Sequence, residues 1–251
     1  MKQLKNIIVK IVALYIAALI ILNGSFFGGY LLSWIFDSQV KSQAVLYSYD
    51  KIKDYSDVKD VIIDSDYASI TVKRGDKFQI LITSKKKKID IKKKDGLLKI
   101  NLNRDLKFIR PSDSDKIEIY LDKELDSLKI IGGLGPLEVK NIKVKSLDLN
   151  QGIGSNKVSN VEVEEGKIEG GIGNLEVLNS KFKKLNIDSG IGSLNMSLTG
   201  NYTYSLTKGL GEIRYDNELI KKDSVLGDGE NKVTIEGGIG NIKIKTREMD
   251  K

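Results

Sequence analysis

The sequence predicts an all-β protein: a β-solenoid with coils of about 19 residues, preceded by β-hairpins and an N-terminal transmembrane helix. Three observations carry this. A glycine-flanked aliphatic unit recurs six times, five of them at a constant spacing of 19 residues. Between the units, apolar and polar residues alternate with a period of two, with no helical spacing. The chain has 24 glycines and only 2 prolines, so it has many tight turns and few rigid breaks.

The first element is apolar. Residues 11–36 of "KIVALYIAALIILNGSFFGGYLLSWIF" carry no charge. As a helix, those 26 residues would extend about 39 Å, enough to cross a ~30 Å hydrocarbon core with tilt. Lys2, Lys5 and Lys10 precede the span, which predicts a cytoplasmic N-terminus and an extracytoplasmic remainder, held at the cell membrane by a single pass. Tyr30 and Trp34 suit the far interface. A cleaved signal peptide is the alternative, with a small-x-small site at Ser42-Gln43-Ala44. That site lies far beyond the Ile7–Leu22 run, which favours an uncleaved anchor. The domain plan is then residues 1–36 as stub and anchor, 37–57 as spacer, 58–246 as an adhesin-like β-domain, and 247–251 as a charged tail.

Residues 58–110 read as hairpins. "VKDVIIDSDYASITVKRGDKFQILIT" alternates on both sides of Arg74-Gly75-Asp76, and Asp95-Gly96 marks a tight turn. This region is basic: residues 71–110 hold 14 Lys and Arg against 4 Asp, within a chain of net charge +7. Lys85, Lys86, Lys87, Lys88, Lys92, Lys93 and Lys94 form the densest part. They are either a solvated strand face or a contact for anionic lipid or wall polymer. No aromatic residues interleave with the lysines as stacking platforms, so nucleic acid is not an expected partner.

The repeat follows. Its corners are Gly133-Leu134-Gly135, Gly152-Ile153-Gly154, Gly171-Ile172-Gly173, Gly190-Ile191-Gly192 and Gly209-Leu210-Gly211, then Gly238-Ile239-Gly240 after a 10-residue insertion. A fixed period near 20 signals stacked coils. Inward positions after the corners are Leu137 and Val139, Leu175 and Val177, Leu194 and Met196, and Ile213 and Tyr215. A turn column holds Asn141, Asn160, Asn179 and Asn217, with Leu198 in place of a fifth asparagine. Asparagine tolerates left-handed angles, and its amide can bond to the same amide in the next coil. The central Ile or Leu of each glycine unit is expected to point inward. Each period should hold two or three short parallel strands.

Other chemistries fit poorly. The calcium-binding β-roll needs aspartate where this chain has Leu137, Asn156, Leu175, Leu194, Ile213 and Ile242. Leucine-rich repeats share the period but do not open on a glycine-flanked corner. No Gly-Lys-Ser/Thr follows any unit, so none is a phosphate loop. The acidic pairs Asp64 with Asp66 and Asp113 with Asp115 read as solvated carboxylates. The chain has no histidine and no cysteine, which removes the commonest general base, the commonest transition-metal ligand and any thiol nucleophile. No enzyme activity, metal or cofactor is expected.

A membrane anchor, then "VKDVIIDSDYASITVKRGDKFQILIT", then tandem "GGIGNLEV"-like units resemble the bacterial putative-adhesin family of β-strand-repeat proteins, over about residues 55–246. The resemblance implies a right-handed solenoid-like fold and an envelope location, and brings no catalytic or ligand residue. The expected function is a non-enzymatic, membrane-anchored surface domain that binds an envelope component, a protein partner or its own copies. The alternative is an envelope-stress regulator acting through a membrane partner.

Overall fold

A computed structural model of the chain describes residues 45–48, 55–84, 89–102 and 115–247. Every regular element among them is a strand. The expected anchor at residues 11–36 lies outside the described residues.

Strand β1 (Val45–Ser48) falls within the expected spacer, yet pairs antiparallel with β3 (Gln79–Ser84). Between them in the chain, β2 (Asp60–Arg74) alternates buried and half-buried residues along both halves and changes phase at Tyr67. The phase change marks its passage from one sheet to a second. Strands β4 (Asp90–Lys94) and β5 (Leu97–Asn101) form the expected hairpin. Asp95 and Gly96 take φ of 51° and 78°, the left-handed pair a two-residue turn requires. The expected hairpin around Arg74–Asp76 does not form. Strand β6 (Asp115–Leu121) pairs parallel with β2 and antiparallel with β3, standing between them. Its inward Ile117 and Ile119 match Ile70 and Val72 of β2, and period-2 alternation carries no information about which strand lies alongside.

From β7 (Leu125–Leu134) the chain enters the repeat. Strand β8 (Leu137–Lys140) follows a glycine corner, and β9 (Lys143–Ile153) follows an asparagine corner. Then come β10 (Asn156–Ser159), β11 (Glu162–Glu169), β12 (Leu175–Asp188) and β13 (Leu194–Thr199). Partners in parallel register are 19 residues apart: Leu137 beside Asn156 beside Leu175 beside Leu194 in the first sheet. In the second sheet Leu128, Leu147, Gly166 and Leu185 stand side by side. Each period thus contributes one strand to each sheet. The second-sheet ladder skips a position at Lys145, Glu164 and Lys183, where those strands bend.

The core lies between the sheets. Leu137, Val139, Leu175, Val177, Leu194, Met196 and Ile213 are all buried, as the alternation predicts, and Tyr215 is partly buried against them. Each buried Leu, Ile or Val contributes roughly 1.5–3 kcal/mol relative to exposure. Asn141, Asn160 and Asn179 take φ of 55°, 53° and 51°, and Asn160 Nδ2 donates to Asn141 Oδ1 at 3.1 Å. These three asparagines turn the chain at successive levels, whereas Asn217 lies with Asp216 in the two-residue turn of a hairpin, φ 72° and 47°, between Tyr215 and Glu218.

The C-terminal end departs from sequence order. Strands β14 (Tyr202–Thr207) and β15 (Ile213–Tyr215) carry the fifth glycine unit between them; β16 (Glu218–Ile220) and β17 (Ser224–Leu226) occupy the 10-residue insertion. Strand β18 (Asn231–Glu236) then pairs parallel with β12 on one side and β14 on the other. Likewise β19 (Ile242–Arg247) lies between β13 and β15. The sixth coil is inserted between the fourth and fifth. Strands β16 and β17 pair antiparallel on the outer sides of β15 and β14, closing that end with three-residue edges too short to template another sheet. The opposite end shows the same interleaving: β2 lies between β5 with β6 and β7 with β8.

Candidate functional site

The glycine corners form the most regular surface feature. Their backbone ladder never breaks: Ile172 N–H donates to Gly152 O at 2.8 Å, while Ile172 O accepts from Gly154 N–H at 2.9 Å. Ile191, Ile239 and Leu210 continue the pattern. Coils drawn this close leave no room for side chains at the flanking positions. A Cβ on Gly173, which has φ of 145°, would lie 1.9 Å from Gly154 O; one on Gly171, with φ of 59°, would lie 2.0 Å from Gln151 O. Gly135, Gly154, Gly192, Gly211 and Gly240 share the positive φ of Gly173. Gly133, Gly152, Gly190, Gly209 and Gly238 crowd a neighbouring coil as Gly171 does.

The central aliphatic residues point outward, which corrects the inward expectation. Ile153 is 49% exposed, Ile172 and Ile239 38%, and Leu210 70%; Leu134 and Ile191 are half-buried. The inward place at the corner belongs to the preceding column, where Gln151 and Ser189 are buried among Gly132 and Gly170. In space the order is Tyr67, Leu134, Ile153, Ile172, Ile191, Ile239, Leu210, a ridge about 29 Å long at ~4.8 Å per coil. Glycines on both sides leave the aliphatic side chains uncovered. Continuous exposed apolar surface of this kind marks an interaction site more often than an isolated exposed leucine does.

The opposite corner carries charge. Glu124, Lys143, Glu162 and Lys181 form one column of alternating sign, and Asp126, Lys145, Glu164 and Lys183 another. Lys143 meets Glu124 at 3.3 Å, Lys145 meets Asp126 at 2.6 Å, and Lys183 meets Glu164 at 2.9 Å. Hydrogen bonding from Lys145 holds the Asp126 carboxyl below its usual range, and Lys183 does the same for Glu164. These pairs are exposed and add little stability, but a coil slipped by one level would place like charges together.

Beside these columns runs a cleft of about 460 Å³, walled by Glu162, Lys181 and Lys183 and lined deeper by Val144, Val163 and Phe182. It exists because β18 pairs with β12 only from Lys184 onward. Phe182 N–H, left without a β18 partner, donates to Tyr202 Oη at 3.1 Å. Along its rim Lys183 pairs with Glu164 and Lys143 with Glu124. Among the described residues no cluster of three metal-ligating side chains occurs.

Of the basic block, Lys85, Lys86, Lys87 and Lys88 lie outside the described residues. Lys92 pairs with Asp90 at 2.9 Å, Lys93 with Asp57, and Lys94 approaches Asp95 at 4.0 Å. The structure thus distributes the described lysines among carboxylates rather than gathering them into one patch.

Sequence reasoning located the glycine and asparagine columns but missed the ridge and the cleft. The charge columns were legible, since writing the chain in rows of 19 aligns them. The ridge was not: alternation through Leu147, Leu149 and Gln151 continues inward to residue 153, and only the corner backbone reverses it.

A chain of parallel coils stacked in register, with one corner column built on glycine and another on asparagine, is an all-β repeat protein. The family model Toastrack DUF4097 matches residues 58–248, and the chain belongs to that family. Two crystal structures share the fold. One is a putative cell adhesion protein from Clostridium sporogenes, at 15% identity and a TM-score of 0.50, over 82% of this chain and 99% of that one. The other is a putative adhesin from Bacteroides fragilis, at 15% identity and a TM-score of 0.54, over 82% and 98%. No curated protein matches the chain.

Proposed function

We propose that this Toastrack domain is a non-enzymatic, adhesin-like binding module, tethered to the membrane by residues 11–36 and held outside the cytoplasm, with its coils wound right-handed. The exposed aliphatic ridge carries the reading. Of the seven aligned residues from Tyr67 to Leu210, Ile153, Ile172, Ile239 and Leu210 are exposed and none is among the buried core residues. The absence of histidine and cysteine removes most ways of activating a nucleophile or a water, which supports binding over catalysis. The uncharged span behind Lys2, Lys5 and Lys10 supports the tether and its orientation. Lys85–Lys88 extend the partner class to anionic lipid or wall polymer, an attraction that would weaken with salt.

The test is site-specific photo-crosslinking in living cells. A photoreactive residue at Ile172 should yield discrete adducts with an envelope component, whereas the same residue at Lys184, on the second sheet, should not. Equal labelling at both positions, or none at Ile172, would remove the ridge from the function. Adducts with a sensor kinase or transporter would favour the stress-regulator alternative.

A further inference from the structure

Strands β18 and β19 find all of their sheet partners in segments that precede them. Lys184–Asp188 of β12 flank β18 on one side and Tyr202–Thr207 of β14 on the other. Leu194–Thr199 of β13 and Ile213–Tyr215 of β15 flank β19 in the same way. The segment is joined to the rest of the described fold through Gly227–Glu230 alone. Because β17 pairs on the outer side of β14 and β18 on its inner side, these four residues must pass round the start of β14.

The passage is tight. Gly227 has φ of 76°, and a Cβ there would lie 2.3 Å from Tyr202 O; a Cβ on Gly229 would lie 2.2 Å from Asn201 C and Tyr202 N. Thr203 Oγ1 donates to Gly229 O at 2.7 Å, fixing the crossing against the strand it rounds. A short hinge under such crowding favours exchange of the element it carries, because exchange extends the hinge and leaves the element's contacts unchanged.

We propose that the segment Asn231–Arg247 exchanges reciprocally between two copies of this chain, each filling the gap between the fourth and fifth coils of the other. The partner is a second copy because only an identical segment offers the same registers to β12, β14, β13 and β15. The buried Val233, Ile235, Ile242 and Ile244 then keep their places in the core of the other copy. The product is a symmetric pair that carries two aliphatic ridges on one assembly, so two weak contacts made by the ridges act together.

The chain has no cysteine, which makes the test direct. Asn186 and Thr234 are register partners in β12 and β18, and both are exposed. The full chain carrying Asn186→Cys and Thr234→Cys is kept in detergent, unfolded, refolded at low and at high protein concentration, oxidised, and run on a denaturing gel without reductant. Exchange predicts a covalent dimer, absent from both single-cysteine chains, whose share of the lane rises with refolding concentration. Deleting Asp228 and Gly229 should move the population to dimer at every concentration, and inserting a few Gly and Ser residues after Asp228 should move it back. The double-cysteine chain remaining wholly monomeric, with its disulfide intrachain at every concentration, would overturn the proposal, whatever the deletion does to folding. This readout does not depend on the Ile172 adducts, so either reading can fail alone.

Discussion

Ile239 forms a parallel bridge with Ile191 although Leu210 lies between them in the sequence, and Ile239 then bridges Leu210 on its other face. The last coil is therefore a wedge holding the fifth coil to the fourth. Removing a core contact from it should loosen what lies beyond. Ile235, fully buried in β18, is expected to cost about 2–5 kcal/mol when replaced by Ala. Amide hydrogen exchange should quicken across residues 202–226 well before residues 137–177. Uniform quickening would show that the wedge has no local role.

Replacing Gly171 by Val forces a β-branched residue into a left-handed conformation against Gln151 O and Gly152 O. The expected loss is at least ~1–2 kcal/mol. Replacing the exposed Lys181 by Ala should stay within roughly 0.5 kcal/mol. Denaturant midpoints of the two variants make the comparison, and equal midpoints would contradict the crowded corner.

The ridge and the core should separate cleanly in stability. Ile172→Ser exposes no cavity and is expected to cost under about 1 kcal/mol, whereas Leu175→Ala, three residues away and buried, should cost about 2–5 kcal/mol. A large loss for Ile172→Ser by thermal or chemical unfolding would mean that the ridge is structural.

Tyr202, Tyr204 and Tyr215 cluster in the C-terminal coils, the first pair tilted and the second edge-to-face, with ring centroids 5.8 and 5.5 Å apart. Burial raises the pKa of all three hydroxyls, that of Tyr204 most, with Tyr215 adding to it. A pKa raised in the folded state means that the unfolded chain releases the proton first. The stability these groups contribute is present below the ordinary tyrosine value near 10 and falls as pH rises beyond it. Unfolding midpoints measured from pH 8 upward should decline more steeply for the natural chain than for Tyr204→Phe. Identical slopes would show that Tyr204 does not ionise on unfolding in that range.

The sequence by itself determined the class of fold, the period, and the identity of the two corner columns. Those depend on local rules: alternation specifies a strand with one inward face, and a fixed spacing of glycine or asparagine specifies a corner that must recur at every level. Glycine is needed where coils touch through their backbones, and asparagine where a left-handed turn can also bond to its copy, as Asn160 does to Asn141. Only the tertiary structure decided that β6 separates β2 from β3, that the sixth coil sits between the fourth and the fifth, and that Ile153 and Ile172 face outward. The reason is physical. Coils with the same register and the same inward residues are nearly interchangeable as neighbours, so their order depends on how the connecting loops reach. The direction of a corner side chain depends on backbone angles at the flanking glycines, the residues whose sequence constrains those angles least.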